Sequence, residues 1–76
     1  MPRFRIILGD FNKKILEELG LPYVVNEKTN SIIFEIPDDR KEELKKLVIQ
    51  RLQEEGSVDS EDLAVLVAES FFDYPV

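Results

Sequence analysis

The chain opens by alternating and then abruptly stops. In Arg3-Phe4-Arg5-Ile6-Ile7-Leu8, Phe4, Ile6 and Leu8 fall on one side of an extended backbone, and Arg3, Arg5 and Ile7 on the other. Gly9-Asp10 ends that pattern. Phe11, Ile15 and Leu19 then recur at helical spacing, with Leu16 beside them. Gly20 closes the helix as a left-handed cap, and Pro22 lies just beyond it. Tyr23 to Asn26 predicts a short second strand. This succession is a β-α-β unit, whose right-handed crossover sets the two strands parallel. No other feature limits the topology as much.

The rest of the chain completes the order. Asn26 to Asn30 is a turn by composition. Ser31 to Ile36 predicts a third strand, hairpin-paired with the second, with Ile32, Phe34 and Ile36 on one face and Ile33 and Glu35 on the other. Pro37 closes it. Leu44, Leu47, Val48 and Leu52 form the stripe of a second helix, with Lys41, Lys45 and Lys46 in solvent and Gly56 as its stop. A third helix follows. Asp10 is the expected N-cap of the first helix, Asp39 with Glu42 a capping box for the second, and Asp59 the cap of the third, with Val58 and Leu63 as a hydrophobic staple. The expected fold is α+β, β-α-β-β-α-α, one domain over residues 1–76. It has a small three-stranded mixed sheet with helices on one face. Sheet order 1-3-2 makes it a ferredoxin-like half without the fourth strand; orders 3-2-1 and 3-1-2 are the alternatives.

A chain this short buries only a modest share of its surface, so its core needs a supplement: disulfides, a metal or a partner. With no Cys and no His, the first two lack their usual ligands, as does the commonest general base. Ser31, Ser57, Ser60, Ser70 and Thr29 have no His to activate them, so no catalytic residue and no cofactor is expected. Asp38, Asp39, Glu42 and Glu43 suit a helix start better than a hard-cation site, which needs oxygens from a folded-back loop. The single Gly of Gly9-Asp10 is too little for a phosphate cradle.

The net charge of -6 opposes nucleic-acid and anionic-membrane binding. Arg3 and Arg5 on the outer sheet face suggest a nucleic-acid surface, but Phe4 and Phe34 point to the core, where they stack no bases. A cross-strand ion pair with Glu35 is the simpler use. The absence of Cys, of a signal-like segment and of a long apolar run leads us to expect a cytoplasmic protein. The high Glu and Lys content fits a thermophile or a designed chain.

One segment exceeds the needs of a core. In "SEDLAVLVAESFFDYPV", Leu63, Leu66, Val67, Ser70, Phe71 and Tyr74 make one helical stripe, expected to face the core. Ala64, Val65, Ala68 and Phe72 make a second stripe, expected to form a partner interface. The tail Phe71–Val76 is left unassigned. The expected function is a small acidic protein–protein interaction module, homodimeric through this helix, without catalytic activity. The alternatives are an acidic inhibitor or nucleic-acid mimic blocking a basic enzyme site, a nucleic-acid-binding module, and a designed scaffold.

Overall fold

The computed structural model describes all residues, Met1–Val76. Strand β1 spans Arg3–Ile7, helix α1 Asp10–Glu18, strand β2 Tyr23–Asn26 and strand β3 Ser31–Glu35. A 3₁₀ turn, Asp38–Arg40, leads into helix α2, Lys41–Glu55, and helix α3, Glu61–Ser70. The α+β order β-α-β-β-α-α and the sheet order β1-β3-β2 are as expected. The sheet is wholly antiparallel rather than mixed. β1 and β2 do run parallel, but β3 lies between them, so no parallel pair is in contact.

Register follows from the alternation. Phe4 opposes Phe34 and Ile6 opposes Ile32, so their side chains share one face. Ile32, Phe34 and Ile36 are 0% exposed, whereas Arg3, Arg5 and Ile7 stand on the uncovered face. From the helices, Ile15, Leu16, Leu44, Val48 and Leu52 complete the core with Ala64, Ala68 and Phe71. Burial of such apolar surface, at about 25 cal/mol per Å², is the main term holding a small sheet to its helices.

The helix ends divide into a legible half and a displaced half. After α1, Gly20 takes φ +67°, its N–H donates to Glu17 C=O, and Leu21 N–H donates to Leu16 C=O. Leu21 and Leu16 are both buried, so the left-handed turn also closes an apolar contact. Gly56, at φ +68°, repeats the pattern with Gln53 and Leu52. The N-termini differ from expectation. Gly9 rather than Asp10 caps α1, with no side-chain cap bond. The 3₁₀ turn takes up Asp38 and Asp39, so α2 starts later, at Lys41, with Arg40 as its uncapped N-cap residue. Asp38 pairs instead with Lys41 Nζ at 3.1 Å. Ser60, not Asp59, caps α3, and Leu63 is exposed, so the Val58–Leu63 staple does not form.

The tail is neither helix nor disordered. After a turn it meets β1 along its free edge. Arg5 N–H donates to Tyr74 C=O and Val76 N–H to Arg3 C=O, both at 2.9 Å. With an antiparallel bridge between Phe4 and Pro75, the tail takes the part of the missing fourth strand's place that lies along Arg3 to Arg5.

Candidate functional site

α3 begins where Ser60, in extended conformation, accepts a hydrogen bond from Leu63 N–H at 3.2 Å. The helix then lies against α2. Ala64 and Ala68, one turn apart, are both 0% exposed. Their methyl groups let the two helices approach closely, since interaxial distance depends on the side chains at the contact. Larger residues there would hold the helices apart.

The chain leaves the helix at Phe71, where Phe71 N–H donates to Ala68 C=O and Phe72 N–H to Glu69 C=O. That turn aims both rings inward. Phe72 stands edge-on to Phe4 at 5.1 Å between centroids, and Phe71 lies 6.3 Å from Phe34. Lys41 Nζ sits 5.1 Å from the Phe4 ring centre and 5.7 Å from that of Phe72. It is therefore not a freely solvated lysine but a cation lid on the aromatic cluster.

These contacts reverse the expected roles of the two stripes. Ala64 and Ala68 are interior, Phe72 is half-buried against the core, and Val65 is half-buried. They do not form a free surface. Leu63 and Leu66, expected as core anchors, are 51% and 61% exposed. Of that stripe only Phe71 is fully inward, with Val67 half-buried. The surplus apolar arc of α3 exists, but it is carried by the other side of the helix.

The outward face has an acidic border. Asp59, Glu61, Asp62, Glu69 and Asp73 are all exposed, and residues 56–76 contain no Lys or Arg. None of these carboxylates belongs to the ion pairs of the fold, which join Arg40 to Glu43, Lys41 to Asp38, Lys45 to Glu42, and Arg51 to Glu18 and Glu54. The displaced titrations belong to such surface contacts. Hydrogen bonds from Arg51 and Arg40 hold Glu18 and Glu43 below the usual carboxylate range, and a hydrogen bond to Glu17 pushes the Tyr23 phenol up.

Beside this face lies a cleft of about 420 Å³. Val67, Ser70, Asp73 and Tyr74 form its α3 and tail side, and Ile7 and Asn12 its β1 and α1 side. Asn12 Nδ2 donates to Ile7 C=O at 2.9 Å, which ties the start of α1 to the edge of β1. The cleft lies at the Ile6–Ile7 end of β1, which stays uncovered because the tail begins to pair only at Tyr74, against Arg5. Sequence reading missed it, because it depends on where along β1 the tail begins to pair.

The outer sheet face carries Arg3 opposite Glu35 in register, but neither Arg3 nor Arg5 joins any of the ion pairs. Phe4 and Phe34 do lie on the core side. No helix is long and apolar enough to cross a membrane. Compared with protein families, curated proteins and solved structures, the chain finds no match.

Proposed function

We propose that this protein is a protein-binding module whose contact surface is the outward face of α3. The observation that carries the reading is the exposure of Leu63 and Leu66 one helical step apart, inside a border of free carboxylates. Apolar side chains supply the driving force of such a contact, and the charges select the partner. A second copy docking here across a two-fold axis would set this acidic border against itself. The charge therefore argues against the expected homodimer through α3. It favours a different partner, a segment with apolar residues flanked by Lys or Arg, held in the manner of a helix in a groove.

The same carboxylates support a second reading, an acidic blocker of a basic enzyme site, in which charge rather than Leu63 and Leu66 dominates. A synthetic amphipathic Leu/Lys helix serves as probe for both. Titrated into labelled protein, it should shift the resonances of Leu63, Leu66, Val67 and Tyr74. Leu63→Ser/Leu66→Ser should weaken binding by about tenfold or more, the scale of losing two partly buried side chains. Undiminished binding by that variant, with steep loss in salt, would favour the blocker. Shifts centred elsewhere would remove α3 from the account.

A further inference from the structure

The parity of the sheet leaves one backbone edge open. Glu35 N–H donates to Pro22 C=O at 3.0 Å, and the register pairs Val24 with Ile33 and Asn26 with Ser31. In an antiparallel ladder, bonded pairs alternate with unbonded ones. The backbone groups of Pro22, Val24 and Asn26 therefore turn toward β3, and those of Tyr23 and Val25 turn outward. No turn, loop or cap hydrogen bond reaches Tyr23 or Val25. The opposite edge of the sheet is treated differently: the tail and Asn12 cover much of β1. Apart from its shortness, β2 lacks the usual protections of an edge. Tyr23-Val24-Val25-Asn26 has no charge and no proline, and Val24 and Val25 are 68% and 39% exposed.

We infer that β2 is a self-pairing edge. A second copy adds its own β2 antiparallel across a two-fold axis at Val24, joining the two sheets into one. An axis perpendicular to the sheet keeps both sets of helices on the same side. Centred on Val24, it sets Tyr23 of each copy opposite Val25 of the other, and these are the residues whose N–H and C=O groups point outward. Both pairs can then exchange hydrogen bonds. Val24 meets its own copy as the close, unbonded pair on the open face. On the helix side, Tyr23 meets Val25, an aromatic against a β-branched residue. An axis at Val25 is poorer, because it bonds only Val25 to itself and sets Tyr23 against Glu27 in the turn.

Charge agrees with this occupant. The antiparallel arrangement brings the hairpin turn of each copy beside the C-terminal end of the other's α1. Lys28, which makes no ion pair within its own chain, then approaches Glu17 and Glu18 and the negative end of a helix. The strand is short, so the buried area falls below that of stable dimers, and association is weak and concentration-dependent. This pairing uses a surface separate from α3 and leaves the α3 face free.

The test is molar mass by light scattering from about 10 µM to about 1 mM, the range where such a weak contact shows. The mass should rise from 8.8 kDa toward twice that value. Val25→Pro removes an outward N–H without touching the β2–β3 ladder, and Val24→Lys places like charges at the axis. Both should stay at 8.8 kDa, whereas Leu66→Glu should dimerise like the parent. In the unsubstituted protein, the Tyr23 and Val25 amide protons should exchange more slowly as concentration rises. A constant 8.8 kDa, or a dimer lost in Leu66→Glu but kept in Val24→Lys, would overturn the inference.

Discussion

Helices α2 and α3 lie against each other yet solve opposite problems. α2 buries Leu44, Val48 and Leu52 and shows Lys, Glu and Gln to solvent. α3 buries Ala64 and Ala68 and shows Leu63 and Leu66. The first helix supplies volume to the core beneath it. The second must come close to its neighbour, and there an alanine fits where a leucine does not. The largest apolar residue is thus not always the innermost one. Where helix meets helix tightly, size is a liability on the contact side, and the large residues left outside become available to something else.

Opposite substitutions should damage the two helices. Leu44→Ala in α2 opens a cavity and should cost about 2–5 kcal/mol. Ala68→Leu in α3 overpacks and should cost about 1–3 kcal/mol. For a domain of this size each kcal/mol lowers Tm by about 4–8 °C. Urea or thermal denaturation followed by circular dichroism measures both. If Ala68→Leu were neutral, the close approach of α3 to α2 would be wrong.

A smaller effect separates the start of α3 from the residue before it. Ser60→Ala should cost about 1 kcal/mol through loss of the bond to Leu63 N–H. Asp59→Ala should change stability by less than about 0.5 kcal/mol, as an exposed residue outside the cap. Equal losses would put the helix start back at Asp59.

These cases show what the sequence reveals and where it stops. Strand faces were legible because a period of two leaves only two sides, and the apolar side of Phe4, Ile6, Ile32 and Phe34 had to be the core. Gly20 and Gly56 were legible because left-handed turns favour glycine. The N-caps were not, because Asp10, Asp39, Asp59 and Ser60 all have the right chemistry and only backbone geometry chooses among them. The face of α3 was the main miss. A helical wheel gives the width of an apolar arc but not which half turns inward. Weighting by side-chain size then selects Leu63 and Leu66, which is the wrong half for a tight helix–helix contact. The paired alanines one turn apart were the available signal.

The smallest expected effect is in acid. Glu18 and Glu43 have folded pKa values lowered by Arg51 and Arg40. Their contribution is complete above the unfolded glutamate pKa of about 4.3 and is lost as pH falls through the lower folded values. Both sit on α1 and α2 rather than α3. Thermal midpoints followed from about pH 7 down through the acid range should therefore fall less steeply in Arg51→Met than in the parent. An unchanged slope would assign the acid sensitivity to other carboxylates.

The most direct test of the α3 account is the stability of Leu63→Gln/Leu66→Gln, measured by urea unfolding at a protein concentration low enough to exclude association. Glutamine keeps the helix propensity and removes the apolar ends. With both leucines outside the core, the variant should stay folded and lie within about 1 kcal/mol of the parent, as surface substitutions do. A loss of about 2–5 kcal/mol for each leucine, the cost of emptying core positions, would contradict it and return Leu63 and Leu66 to the interior.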